Sequence, residues 1–216
     1  MRINFKKIFF ICLALFFLFG TGYALGADYL IRLGVSGNSQ AVINMIAPEG
    51  RVGAQATNWD TNFYLTVKTL GDSTIYTQPV LAASDDRGKY LTPIDLTGVV
   101  SGNYNILIKG AQHLTRKMSN ISLSDGLNTL NFTQSDNSTA TGTVVLLAGD
   151  INGTGVDPAT LGDDVINAVD LNIMLAVLDQ DDLTGNTVRA NLNQDIVVNS
   201  VDMSLLLKNL DVEGDQ

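Results

Sequence analysis

The chain has 216 residues, 13 Lys+Arg against 22 Asp+Glu, a formal net charge of −9 and a sequence pI near 4.3. That balance argues against a nucleic-acid binder, which needs a basic face for phosphate. The length allows one or two domains, and the charge is unevenly spread. From Asp150 onward there are 13 acidic residues against Arg189 and Lys208, whereas residues 27–149 hold 9 acidic and 8 basic side chains. Two modules with different jobs are expected.

Arg2, Lys6 and Lys7 precede an apolar run over 8–19, and Gly20, Gly22, Ala24 and Gly26 follow. This is the order of a secretory signal, with cleavage after Ala24 or Gly26. Residues 1–26 are expected to be a signal peptide; their apolar run is short for a membrane-spanning helix. No later segment is long and apolar enough to span. The expected place is secreted, extracellular or on the cell surface. Cys12, the single cysteine, lies in the leader, so the mature chain has no disulfide and no Cys-based zinc or redox chemistry.

Residues 27–133 are predicted to form an antiparallel β-sandwich. Short segments rich in Val, Ile, Leu, Tyr and Thr at 29–35, 63–69, 74–80, 104–109, 114–123 and 129–132 are separated by Gly, Asn, Asp and Ser clusters, the spacing of such a fold. In 104–109, Tyr104, Ile106 and Ile108 share one face and Asn105, Leu107 and Lys109 the other. The pattern resembles a late strand of immunoglobulin-like sandwiches.

Catalysis is not expected. His113 is the single histidine, so a serine nucleophile would need it as base. A lone histidine near a strand start is more often structural. Asp85 and Asp86 precede Arg87 and Gly88 and read as a solvated turn. Trp59 is either an exposed sugar-stacking platform or, preferably, a plug at one end of the core. Residues 134–147 are expected to be a linker rich in Ser, Thr and Asn. The apolar run 144–148 at its end should pack against one of the two domains.

The tail, 148–216, contains a repeat. Ile166–Asn167–Ala168–Val169–Asp170–Leu171 recurs as Val198–Asn199–Ser200–Val201–Asp202–Met203, 32 residues on. In the second copy Asn191, Asn193, Asp195, Val197, Asn199 and Asp202 occupy positions 1, 3, 5, 7, 9 and 12 of a loop. A hard cation wants six to eight oxygens, and alternate residues of such a loop can turn oxygens inward, with a backbone carbonyl at position 7 and water often at 9. The first copy reads Asp150, Asn152, Asp163, Val165, Asn167 and Asp170 if residues 154–162 are an insertion; Asp164 or Thr154 competes for position 5. A helix is predicted after each loop, with Leu171, Met174, Leu175 and Leu178, and Met203, Leu206, Leu207 and Leu210, facing inward.

These paired loop–helix motifs, over residues 148–212, resemble a dockerin, the cohesin-binding module of cellulosomal and other extracellular proteins. The resemblance implies a mainly β protein with a small α module: an antiparallel β-sandwich followed by a dockerin-like pair of loop–helix calcium motifs, neither loop preceded by a helix of the calmodulin kind. It implies two Ca2+ ions and a cohesin-like protein module as partner. The family's recognition positions fall on Ala168, Val169, Leu175 and Ala176 in the first repeat, and Ser200, Val201, Leu207 and Lys208 in the second. Asn191 stands where Asp is usual. Ile196 stands where Gly is usual, in a turn whose left-handed backbone costs another residue roughly 1–2 kcal/mol. With two carboxylates against three, the second site is expected to be weaker.

The leading expectation is a secreted, non-catalytic modular protein docking through its tail, in an extracellular assembly that could serve polysaccharide breakdown. The alternatives are a calcium-stabilised structural protein without a cohesin partner, and a polysaccharide-binding module using Trp59. A hydrolase rests on association alone, because dockerins often ride on polysaccharide-degrading enzymes.

Overall fold

Strand β1 (Ser39–Pro48) is the centre of the first sheet. Its residues are buried or half-buried throughout, so it lacks the alternation of a strand with one wet face. For that reason the sequence does not announce it. The computed structural model describes residues 38–51, 59–132, 145–153, 161–182 and 184–216. The expected signal peptide, the strand at 29–35 and most of the expected linker lie outside the described residues.

On one side of β1, β5 (Tyr90–Asp95) pairs antiparallel; on the other, β8 (Gly126–Phe132) pairs parallel. The short β9 (Val145–Leu146) also runs parallel to β1, at Ala47 and Pro48. The second sheet is antiparallel, in the order β3 (Thr74–Thr77), β2 (Asn62–Lys68), β6 (Gly102–Gly110), β7 (Arg116–Leu123), with β4 (Ala82–Ala83) on β2. The expectation of a wholly antiparallel sandwich is therefore corrected: the first sheet is mixed. The whole second sheet separates β1 from β8 in sequence, and so long an excursion permits parallel return where a hairpin does not. β5 is an exposed edge strand carrying Pro93, a residue that edge strands tolerate and that masks the strand signal.

Ile43, Ile46, Phe63, Leu65, Ile106, Ile108 and Phe132 are fully buried in the core shared by both sheets. The predicted facing of β6 holds: Ile106 and Ile108 enter this core, while Leu107 and Lys109 take the opposite face.

The tail adds helices α1 (Ala168–Ala176), α2 (Asn186–Ala190) and α3 (Ser200–Lys208). α1 and α3 each open on a capping box, Asn167 with Asp170 and Asn199 with Asp202, which satisfies backbone donors that a helix start leaves free. α2 runs directly into the second loop, so that loop does have a helix before it; five residues are too few for a periodic signal. Met174, Val177, Ile166, Val198 and Leu206 form a second core. Leu175 and Leu207, expected to face inward, are instead about half exposed, and Val177 joins the core.

The two cores are not independent. Leu114, from the β6–β7 connection, belongs to the tail core, whereas Leu146 of β9 belongs to the sandwich core. Residues from Asn38 to Gln216 form one compact unit. No helix among the described residues is long and apolar enough to cross a membrane.

Candidate metal loops and docking face

The carboxylates of Asp170 and Asp202 are the hubs of the two loops. Both residues are fully buried. Asp170 Oδ1 accepts the N–H groups of Ile151 and Asn152 at 2.8 and 3.0 Å, and Oδ2 that of Asn167 at 3.0 Å. Asp202 repeats the pattern with Leu192, Asn193 and Asn199, at 2.7, 3.1 and 3.0 Å. Three charge-assisted bonds satisfy each buried charge. The equivalent early residues are 41 apart and the later ones 32, so nine extra residues lie between Asn152 and Asp163 in the first loop. Residues 154–160, the bulk of that insertion, lie outside the described residues, as does the competing Thr154.

Further bonds repeat the equivalence. Asn152 Oδ1 accepts from Asp163 N and Asn193 Oδ1 from Asp195 N, at 3.1 and 3.0 Å. Ile166 in the first loop pairs with Asp211 and Val212 after α3, and Val198 in the second pairs with Asp179 and Gln180 after α1. Each repeat thus closes on the other, giving the tail a pseudo-twofold.

In the first loop, Asp150, Asp163 and Asp170 each place a carboxylate oxygen within 4.8 Å of the others. Asp150 is 1 % exposed. Its Oδ2 is held by Lys109 Nζ and accepts from Asp164 N, while its Oδ1 has no hydrogen-bond partner. Burial pushes its carboxyl up to about 6, against the pull of Lys109. Gly162, with φ +39, leaves room for this oxygen: a Cβ there would fall 2.0 Å from Oδ1. Asp164 takes the left-handed backbone (φ 65) and turns away, its Oδ1 accepting from Lys109 Nζ at 2.9 Å and Thr115 N at 2.6 Å. Asp163 and not Asp164 therefore joins the cluster. Val165 bridges to Glu213, and Asn167 Oδ1 caps α1 by accepting from Val169 N.

In the second loop, Asn191 is buried; its Nδ2 donates to the Asp195 carbonyl while its Oδ1 has no partner. Asn193 and Asn199 turn their Nδ2 groups toward Asp195 Oδ2, at 3.0 and 3.4 Å. Asn199 Oδ1 caps α3, and Val197 N donates to Asp195 Oδ1. The backbone cost expected at Ile196 is corrected: the left-handed residue is Gln194 (φ 55), and Ile196 is a solvent-facing side chain, 80 % exposed.

Ala168, Val169, Leu175 and Ala176 of α1, and Ser200, Val201 and Leu207 of α3, are all exposed. Lys208 is exposed too, but its ammonium reaches back to Glu49 of the sandwich. Trp59 is 6 % exposed and offers no platform. His113 is fully buried with neither ring nitrogen bonded, and burial, followed by Arg51 and Lys109, drives its pKa well below the usual range.

The contacts that sequence reasoning missed come from the sandwich. Glu49 accepts from Asn209 Nδ2, Lys208 Nζ and Ala148 N. Gln112 Nε2 donates to the Val188 and Arg189 carbonyls, and Lys109 pairs with two tail aspartates. The outward phase of Lys109 on β6 was the one available signal.

No protein-family model matches the chain, and no curated protein matches it by sequence. Among solved structures, it is similar to a chain in the crystal structure of a C-terminal interface mutant of a type II cohesin–X-dockerin complex from Acetivibrio cellulolyticus. The TM-score is 0.53 at 19 % identity, covering 82 % of this chain and 97 % of that one. The N-terminal interface mutant of that complex gives 0.45 at 18 % identity, covering 82 % and 96 %. The likeness is one of fold. It is that of a two-sheet β-sandwich from a cohesin–dockerin complex.

Proposed function

We propose that the chain is a secreted, non-catalytic docking protein of an extracellular, polysaccharide-degrading assembly. Its dockerin-like tail binds calcium through both loops and engages a cohesin-like module, with the sandwich held beside it. The observation that carries this reading is the unpartnered, buried oxygen at position 1 of each loop, Asp150 Oδ1 and Asn191 Oδ1. An unsatisfied buried acceptor costs about 1–3 kcal/mol, and oxygens at loop spacing are what a hard cation takes.

The donor set fits. Asp150, Asn152, Asp163, the Val165 carbonyl and Asp170 would hold the first ion, with Asn167 acting through water because its oxygen caps α1. Asn191, Asn193, Asp195, the Val197 carbonyl and Asp202 would hold the second, Asn199 again through water. The second set has fewer carboxylates, and its Asn193 amide must turn to present oxygen, so it binds more weakly. The bound ion supplies positive charge that lets the buried Asp150 stay ionised. Support for docking comes from Val169, Leu175, Val201 and Leu207, equivalent in the repeats and each about half exposed. His113 is buried and unavailable as a base, which supports a non-catalytic role.

A second reading follows from the sandwich alone: a two-sheet sandwich like that in a cohesin–dockerin complex could itself receive a dockerin-type partner. One experiment separates them. The chain without residues 1–26 is titrated with calcium by calorimetry and circular dichroism, then passed over immobilised type II cohesin and, separately, dockerin. The expected result is saturable calcium binding and calcium-dependent retention on cohesin, lost in Leu175→Ser/Leu207→Ser with helicity unchanged. Retention on dockerin but not on cohesin would install the second reading. Absence of calcium binding at millimolar concentration sinks the tail reading.

A further inference from the structure

We propose that Lys109 couples the first loop to the sandwich, so that filling the loop and seating the tail are one linked event; this rests on the calcium reading above. The Lys109 side chain leaves β6 on the face opposite the sandwich core. Its ammonium touches two tail carboxylates, Asp150 and Asp164. Asp150 is divided between two tasks. One oxygen is pinned by Lys109 and the Asp164 N–H; the other is buried and unpartnered, in a carboxylate that clusters with those of Asp163 and Asp170.

The same carboxylate therefore carries a sandwich contact on one oxygen and a cation position on the other. Lys109 fixes its rotation, and a second link strengthens the hold: Asp164, which Lys109 also grips, accepts the Thr115 N–H where the chain enters β7. Without a cation, Asp150, Asp163 and Asp170 crowd one loop; Lys109 pairs with Asp150 and Asp164, and Arg189 lies within electrostatic reach of Asp150 and Asp170. Their repulsion loosens the loop, and with it the contact to β6. A cation on the free oxygen relieves that repulsion and sets Asp150 against Lys109. Coupling by a shared, oriented ligand is reciprocal by necessity: calcium tightens the seating, and the seated sandwich preorganises the loop.

The test uses the chain without residues 1–26 and two probes of melting. Trp59, the single tryptophan, reports the sandwich by fluorescence; ellipticity reports the tail helices. In the wild type, calcium is expected to raise both midpoints together. In Lys109→Met, which keeps the apolar stem, calcium is expected still to raise the helix midpoint, while the rise at Trp59 is lost. Lys109→Arg should restore it. Asp164→Asn, which tolerates the left-handed backbone and leaves the proposed ligands intact, should reduce the Trp59 response without abolishing calorimetric binding, and it serves if Lys109→Met fails to fold. An unchanged calcium response at Trp59 in both variants overturns the coupling while leaving the loops as calcium sites. Absence of calcium heat in the wild type overturns the calcium reading and the coupling with it.

Discussion

Asp150 bears the most strained charge of the tail. Its side chain is fully buried and its carboxyl stands at about 6 rather than 3.8, a penalty of roughly 3 kcal/mol on the ionised form. Because the folded value is raised, Asp150 contributes stability that is fully present below pH 3.8 and is lost as pH rises through about 6. His113 runs the other way. Its pKa is held below 6.5, so its contribution is present above pH 6.5 and lost as pH falls, when the unfolded chain takes a proton that the buried ring refuses. In chelator the two trends oppose each other. On the proposed calcium reading, a bound ion would hold Asp150 ionised and reverse its sign, so both would then favour neutral pH. Acidification from pH 7 to pH 5 is therefore expected to lower the melting midpoint more with calcium than with chelator; equal falls would refute the assignment. Asn191 offers a second residue-scale test. Asn191→Asp adds a third carboxylate to the second loop but replaces the amide donor to the Asp195 carbonyl. Calorimetry should show tighter calcium binding at that site, and melts in chelator a loss of about 1–2 kcal/mol.

Among the elements, β1 contributes most to the sandwich, pairing with three strands. Ile43 sits in its middle, fully buried, opposite Tyr90 on β5 and Leu130 on β8. Ile43→Ala should cost about 2–5 kcal/mol, read as a lower urea midpoint of the Trp59 signal. Although β1 also pairs with β9, which leads into the first loop, the sandwich stays folded below that midpoint, so calcium affinity measured there should change little. In the tail, the long helices depend on their capping boxes more than on breadth of apolar face: each nine-residue helix buries one apolar side chain completely, Met174 or Leu206.

For the whole molecule, the decisive feature is that the sandwich and tail are joined by polar contacts as well as by shared cores. Glu49 is 7 % exposed and accepts from three tail groups. Close by, Gly50 (φ +79) lies against Leu205 of α3, where a Cβ would come within 2.2 Å of Cδ1. Glu49→Ala leaves the Asn209 amide and Ala148 N–H without this acceptor. It should cost about 2–4 kcal/mol and separate a single calorimetric transition into two. A single, unshifted transition would show that the apolar cores alone hold the unit together.

The tail's loop pattern was legible because oxygen-bearing residues recur there at fixed spacing. Asp150, Asp170, Asp195 and Asp202 could be placed by counting, and the nine-residue insertion was legible from two unequal offsets. The edges of β2, β6 and β7 were legible to within about two residues because alternation and turn residues are local. Sequence by itself thus determined the twin loops, the helices after them and a β-sandwich before them. Tertiary structure decided the rest. A strand buried on both faces carries no period, so β1 and the mixed sheet built on it emerged only from pairing. Leu175 and Leu207 lie at helical spacing that suits a core, yet packing of the repeats leaves them in solvent. The choice of Asp163 over Asp164 turned on Lys109, 41 residues before Asp150. Such a contact depends on how two cores meet, which no local pattern encodes.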